Sequence, residues 1–245
     1  MANLQFWKMV DKVIEQADVV LEVLDARLID ETRNTRIEEK IQQMGKKLIH
    51  VINKIDLGDK DKIEKKLKGL HNPVFVSSKE RLGTTILKKR IMEVGSKDKI
   101  LVGVVGYPNV GKSSVINALA GSNKARTSPQ SGHTRGIQKV KASGRIMLLD
   151  TPGVIPFEDN DLLKHVLIAS KNPQMIKEPD LIAMKILEML DGRAEKHYGV
   201  ERNDDLEETL KAIALKKNKL LKGGIPNVDI ISRIIITEWQ RGILK

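Results

Sequence analysis

The chain has 245 residues, 40% of them hydrophobic and 31% charged, which suits one medium globular domain plus a smaller one and excludes a disordered or fibrous protein. Its 43 Lys and Arg against 32 Asp and Glu leave a formal net charge of +11, favouring a polyanionic partner such as RNA or an acidic membrane. Cysteine is absent, excluding disulfides, thiolate metal sites and cysteine nucleophiles; no apolar run approaches the ~20 residues that span a bilayer, and the start lacks a signal-peptide pattern, so a cytoplasmic location with no membrane partner is expected.

In chain order, a buried strand is predicted over residues 19–24 and ends in Asp25-Ala26-Arg27, a polar strand end read as framework rather than chemistry. Helical spacing follows over 33–45, then a second strand over 47–52. That strand runs into Asn53-Lys54-Ile55-Asp56. Guanine presents two adjacent donors on its Watson–Crick edge, and the single carboxylate of Asp56 can accept both, whereas adenine offers an acceptor beside its amino group and is repelled. Lys54 can lay its alkyl stem along the purine face, and Asn53 can pin the loop and the base. Alone, the pattern also reads as a helix cap.

A helix over 59–70 and a strand over 73–76 lead to Ser77-Ser78-Lys79, placed to offer a backbone N–H to the guanine O6. After a helix over 84–94, the strand at 100–105 ends in Gly106-Tyr107-Pro108-Asn109-Val110-Gly111-Lys112-Ser113, followed by Ser114 and a helix over 112–119. This is the P-loop pattern in its strand-to-helix context. Its glycines let Asn109, Val110 and Gly111 bring backbone N–H groups to the β-phosphate. Lys112, facing ligand rather than packed, would span the β- and γ-phosphates, and the Ser113 hydroxyl would ligate Mg²⁺.

The polar segment at 127–136 reads as a switch loop. Thr134 is the choice for a hydroxyl that ligates Mg²⁺ when the γ-phosphate is present, with Thr127, Ser128 and Ser131 as competitors. His133 has no metal-binding partner at usable spacing. A strand over 145–149 ends in Asp150-Thr151-Pro152-Gly153, where Asp150 is placed to hold Mg²⁺ through water and the Gly153 amide to meet the γ-phosphate.

Beyond this point the strand signal stops, and helices are predicted over 161–170, 180–191, 204–221 and 227–239. The longest opens on Asp204, Asp205, Glu207 and Glu208 and closes on Lys216, Lys217, Lys219 and Lys222 before Gly223-Gly224, as dipole complementarity and a glycine stop require. From residue 206 onward there are eight Lys or Arg (Lys211, Lys216, Lys217, Lys219, Lys222, Arg233, Arg241, Lys245) against four acids.

The base motifs precede the P-loop, the reverse of the usual order in such folds. The expected architecture is therefore an α/β P-loop GTPase fold, a circularly permuted, mostly parallel sheet with helices on both faces over residues 1–160, followed by an all-helical domain over 161–245 that faces RNA. A monomer is expected.

With these motifs, and with Lys222-Gly223-Gly224 and Trp239-Gln240-Arg241-Gly242 near the end, the chain resembles the circularly permuted ribosome-assembly GTPases of the YlqF/YawG (RbgA-like) group over nearly its whole length. The resemblance implies a GTPase that binds the precursor of the large ribosomal subunit, or its rRNA, in the GTP state and leaves after hydrolysis to GDP. It also implies that Asn109 stands where related families use an asparagine to help ligate K⁺; a plain turn asparagine is the alternative. Two departures bear on hydrolysis: Phe6-Trp7-Lys8-Met9 lacks the histidine that bacterial members carry in an opening Pro-Gly-His-Met, and Val154-Ile155 stand where many GTPases have a water-orienting glutamine. A nucleotide-gated RNA-binding module with negligible turnover, and a GTPase acting on tRNA or on a membrane-bound partner, remain open.

Overall fold

The computed structural model describes residues 2–121, 138–142, 144–150 and 161–245. The chain divides into two compact units, Met1–Asn160 and Asp161–Lys245.

The first unit runs α1 (Ala2–Gln16), β1 (Val19–Asp25), α2 (Ile29–Thr32), α3 (Thr35–Gln43), β2 (Lys47–Asn53), α4 (Lys60–Lys65), β3 (Val74–Val76), α5 (Thr84–Val94), β4 (Ile100–Val105), α6 (Lys112–Ala120), β5 (Gln138–Lys141) and β6 (Ile146–Asp150). The strands form one sheet in the order β3-β2-β1-β4-β6-β5. All neighbours are parallel except β5 and β6. Every residue of the central strand β1 is buried, which is why its sequence is a near-continuous apolar run rather than an alternating one. One face packs Val20, Leu48 and Leu149 against Val10, Val13, Ile14 and Ala17 of α1 and Ile37 and Ile41 of α3. Strand alternation turns Leu21, Ile49, Val104 and Leu148 the other way, where they are equally buried. Helices α5 and α6 pack against each other and onto the strands there.

Helix α1, the one-turn helix α2 and strand β5 had no counterpart in the sequence reading. Helix α1 carries the stretch that lacks the histidine; its Trp7 packs against the α1–α3 cluster with the Arg36 guanidinium 4.6 Å and the Lys40 ammonium 5.3 Å from its ring centre. Strand β5 is a four-residue antiparallel edge of the sequence QKVK, whose lysines suit an exposed edge and hide its strand character. The helix expected over 59–70 is only Lys60–Lys65, capped by the Asp59 carboxylate.

The second unit contains α7 (Leu162–Leu167), a short 3₁₀ turn at Pro173–Met175, α8 (Pro179–Leu190), α9 (Arg193–Tyr198), α10 (Leu206–Lys216) and α11 (Val228–Arg241). Its core is built where α8 and α10 pack on α11, from Ile186, Leu187, Leu190, Leu210, Ile213, Ile235 and Ile236. The Trp239 indole N–H donates to the Leu167 carbonyl at 3.1 Å and the Gln240 amide to that of Val166 at 2.9 Å, joining α11 to α7. The helix expected to run to residue 221 stops at Lys216, because Asn218 turns left-handed at φ 52° and Lys219 N–H closes back on the Ala214 carbonyl at 2.8 Å. Gly223-Gly224 therefore serve a separate turn and do not stop the helix. Among the described residues no helix is long and apolar enough to cross a membrane.

Candidate nucleotide site

The parallel strands end together. Asp25, Asn53 and Val76 stand side by side in the register of β1, β2 and β3, and Val104 of β4 stands beside Asp150 of β6. The carboxyl edge of such a sheet is where α/β folds hold ligands, because loops and helix N-termini converge there.

The loop after β4 folds back through Gly106 at φ 140°, Asn109 at φ 59° and Gly111 at φ 99° before α6 begins at Lys112. No side chain caps α6, so its first N–H groups and the positive end of its dipole point to where a phosphate would lie. Val110 is buried at 1% exposure, so its contribution to the loop is made through its backbone. Lys112 is 6% exposed, with Nζ donating to the Tyr107 carbonyl at 2.7 Å. That corrects the expectation of a lysine facing outward: the loop wraps its own ammonium. Ser113 and Ser114 are half-buried in the first turn of α6.

Asn53 ties this loop to the base motif. Its Nδ2 donates to the Val110 carbonyl at 2.9 Å, and its Oδ1 accepts the Ser78 N–H at 3.1 Å. One side chain, 1% exposed, thus joins the three loops after β2, β3 and β4. Gly111 is required at this junction: a Cβ there would lie 2.2 Å from Asn53 Nδ2. The Asp56 carboxylate accepts the Ser77 hydroxyl at 2.7 Å, and Ser77 Oγ in turn accepts the Glu80 N–H at 3.3 Å. The Ser77 N–H is taken by the Leu82 carbonyl, in a two-bond bridge that closes the loop around the exposed Lys79.

Lys54 lies at φ 62°, and its ammonium meets Asp25 Oδ2 at 2.8 Å. Asp25 also receives Arg27 through Nε at 3.0 Å and Nη2 at 2.9 Å. Burial alone would raise the Asp25 carboxyl, but Arg27 and Lys54 hold it well below the usual carboxylate range. The strand end read as framework therefore reaches the site: it fixes the direction of Lys54. No local pattern announced that pairing across 29 positions.

Thr134 and Gly153 lie outside the described residues, as do Thr127, Ser128, Ser131, His133, Val154 and Ile155. Asp150 closes β6 next to the strand that feeds the P-loop.

A second polar cluster, unread in the sequence, lies under α3: Glu22, His50 and Glu38 carry ligand atoms within 4.8 Å of one another. Burial would lower the His50 ring, but hydrogen bonds and charge from Glu22 and Glu38 outweigh it and raise it from 6.5 to about 9. Nε2 lies 3.2 Å from both Glu22 Oε2 and Glu38 Oε1, and Nδ1 faces the His71 N–H at 2.7 Å and the His71 carbonyl at 3.3 Å. With Arg33 on Glu38 and the Asn34 N–H on Glu22 at 2.8 Å, the cluster is a buried tie between β1, β2 and α3 with no ring nitrogen left for a metal.

A family model described as RsgA GTPase matches residues 9–159, and one described as 50S ribosome-binding GTPase matches residues 101–221. The chain belongs to the circularly permuted GTPases. An uncharacterized GTP-binding protein of Methanocaldococcus jannaschii is 44% identical over 97% of this chain and 65% of its own length. The GTPase grn1 of Schizosaccharomyces pombe is 32% identical over 96% and 59%, and the nucleolar GTP-binding protein 2 of Neurospora crassa 33% over 97% and 40%. The chain thus spans less than two thirds of the length of these relatives. GDP-bound YlqF superposes with a TM-score of 0.66 at 24% identity, covering 95% of this chain and 94% of that one. GNP-bound YlqF from T. maritima gives 0.64 at 23%, covering 97% and 94%. These two share the permuted fold with this GTPase.

Proposed function

We propose that this GTPase binds GTP with Mg²⁺, hydrolyses it by in-line attack of water, and uses the nucleotide state to time its association with the precursor of the large ribosomal subunit through RNA. The observation that carries the nucleotide part is Asn53, whose two hydrogen bonds to Val110 and Ser78 join the base loop to the phosphate loop.

Asp56, held from behind by Ser77, reads the two guanine donors. Lys54 lays its stem along the purine face, and, with the Ser77 and Ser78 N–H groups taken by Leu82 and Asn53, the Lys79 amide serves the guanine O6. The backbone of Asn109, Val110 and Gly111 with the first turn of α6, Ser114 included, cradles the β-phosphate. Lys112 exchanges the Tyr107 carbonyl for the β- and γ-phosphate oxygens. Ser113 and Asp150 supply hard oxygens at one sheet edge, the donor type that Mg²⁺ requires, and Thr134 would complete the set. Mg²⁺, when bound, neutralises charge on the phosphate oxygens. The Gly153 amide meets the γ-phosphate. For K⁺, the left-handed backbone of Asn109 gives an asparagine a reason to be there as a turn residue, so the cation rests on the family likeness alone.

The ribosomal reading is supported by the relationship to nucleolar GTPases, by the family model for 50S ribosome-binding GTPases and by the +11 net charge. Without a glutamine after Gly153, turnover by the isolated chain should be slow and rise with the proper partner. Single-turnover hydrolysis with and without purified large subunits tests this, and unchanged rates would remove the assembly role. Asp56→Asn should turn preference from guanine toward xanthine nucleotides, and equal ATP and GTP binding by the unaltered chain would remove the guanine assignment.

A further inference from the structure

The basic residues of the second unit fall into two classes. Lys211 is paired with Glu207 and Glu208, Arg233 with Asp229 and with the carbonyls of Pro173 and Ile176, and Arg202 with Asp191. By contrast Lys216, Lys219 and Lys222 form no ion pair among the described residues, and Lys217 only lays its ammonium 5.2 Å over the Tyr198 ring. Lys171, Lys177, Lys196, Arg241 and Lys245 also lack an ion pair among the described residues, but they are scattered along the chain, whereas Lys216, Lys217, Lys219 and Lys222 follow one another from the end of α10 into the turn after it.

That turn is a tight hairpin. Leu220 bridges Pro226, the Leu221 N–H meets the Ile225 carbonyl at 2.8 Å, the Gly224 N–H meets the Leu221 carbonyl at 3.1 Å, and the Asn227 N–H meets the Lys219 carbonyl at 2.9 Å. Gly223 and Gly224 both lie at positive φ, 89° and 80°, with open space where a Cβ would stand. Backbone geometry rather than crowding therefore requires them. Residues 215–225 are exposed without a break. The hairpin carries Leu221 at 52% and Ile225 at 59% exposure on either side of the two glycines. The turn is thus held by its own backbone bonds and leaves exposed aliphatic side chains, with Leu220 at 39% beside Leu221 and Ile225, among lysines that form no ion pair among the described residues.

We infer that this hairpin is the element that engages RNA: Lys216, Lys219 and Lys222 contact the phosphate backbone while Leu221 and Ile225 rest on the sugar and base surface of a helix irregularity. The inference rests on the RNA reading proposed above and names its contact surface. RNA rather than acidic protein is favoured because no acid interrupts the basic run between Glu208 and Asp229 and the whole chain carries a net charge of +11, the footprint of a phosphate-backbone partner. The deep groove of an A-form duplex is closed to such a ribbon, whereas internal loops and the shallow groove are open to it. With no aromatic or amide side chain in 215–225 apart from Asn218, recognition is by shape and backbone rather than by sequence.

The test uses the full chain and a fluorescein-labelled RNA stem-loop with an internal loop, titrated across a salt series. Lys216→Glu/Lys219→Glu/Lys222→Glu should weaken binding and flatten the log–log salt slope by about 2, since each lost phosphate contact removes ~0.7–0.9. Leu221→Ser/Ile225→Ser should weaken it about tenfold, the worth of two half-covered aliphatic side chains, without changing the slope. Lys211→Ala should do neither. All variants alter exposed side chains, and thermal melts confirm that the fold is intact. Unchanged affinity in both multiple variants, with the unaltered chain binding, overturns the hairpin while leaving the RNA reading standing. No RNA binding by the unaltered chain overturns both. Loss of binding to vesicles of phosphatidylcholine and phosphatidylglycerol in the Leu221/Ile225 variant, with RNA binding retained, makes the hairpin a membrane contact and also overturns the inference.

Discussion

Replacing Asn53 with alanine tests whether one side chain holds the phosphate and base loops in register. The substitution leaves the Val110 carbonyl and the Ser78 N–H, bonded at 2.9 and 3.1 Å in the native fold, without partners in a region where Asn53 is 1% exposed. A buried polar group stripped of its partner costs ~1–3 kcal/mol, so the fully buried bond and the part-buried one together amount to about 3 kcal/mol. In a chain of this size that is a fall in Tm on the order of 6–12 °C. If half of that energy positions the loops for nucleotide, the Kd for a fluorescent GDP analogue rises about tenfold. Asn53→Asp should be no milder, because it turns a carboxylate oxygen on the Val110 carbonyl. Melting followed by circular dichroism, with a nucleotide titration on the same samples, reads both effects. A variant that melts within about 2 °C of the native chain and binds GDP as tightly would refute the joining role.

Gly111→Ala should abolish nucleotide binding, since its Cβ would stand 2.2 Å from Asn53 Nδ2 at a φ of 99°; an isothermal titration showing native affinity contradicts that geometry. If Asn109 ligates K⁺, turnover in potassium chloride should exceed that in sodium chloride at matched ionic strength, and equal rates leave only the turn asparagine. Burial opposes ionisation of Glu38, but hydrogen bonds from Arg33 and His50 outweigh it and pull its carboxyl from 4.5 down to about 2. Because the folded value is the lower one, the pair stabilises the fold at pH above about 4.5 and loses that contribution as pH falls toward 2. Acid melting curves should therefore flatten in Arg33→Met, and parallel curves for the two proteins would contradict the pairing.

Much of the nucleotide site could be read from the residues because its parts are local: a glycine loop directly after a buried strand, and an Asn-Lys-x-Asp run after another. Each motif carries its own chemistry and needs only its neighbours to be recognised. What joins them does not. The bond from Asn53 to Val110 spans 57 positions and that from Lys54 to Asp25 spans 29, and neither leaves a periodicity or a spacing to find. The cluster of Glu22, His50 and Glu38 was hidden for the same reason, each residue sitting singly inside an apolar strand or a charged helix. Helix α10 shows the opposite error. Acids at its start and lysines at its end gave a consistent dipole argument for a helix to residue 221, yet Asn218 turned the chain at Lys216 because asparagine tolerates the left-handed region without a glycine. The four lysines from 216 to 222 then read as helix-end chemistry, when three of them lie past the helix and border a hairpin.

The hydrogen bonds from Trp239 and Gln240 to the carbonyls of Leu167 and Val166 span 72 and 74 positions, so during translation α7 emerges long before the side chains that hold it exist. Until α11 has cleared the exit tunnel, α7 lacks the helix that holds it and α8 has only α9 and α10 against it, so completion of this unit's core waits on its last helix. A nascent chain arrested shortly before residue 239 should thus expose α7 to a protease that the released protein resists.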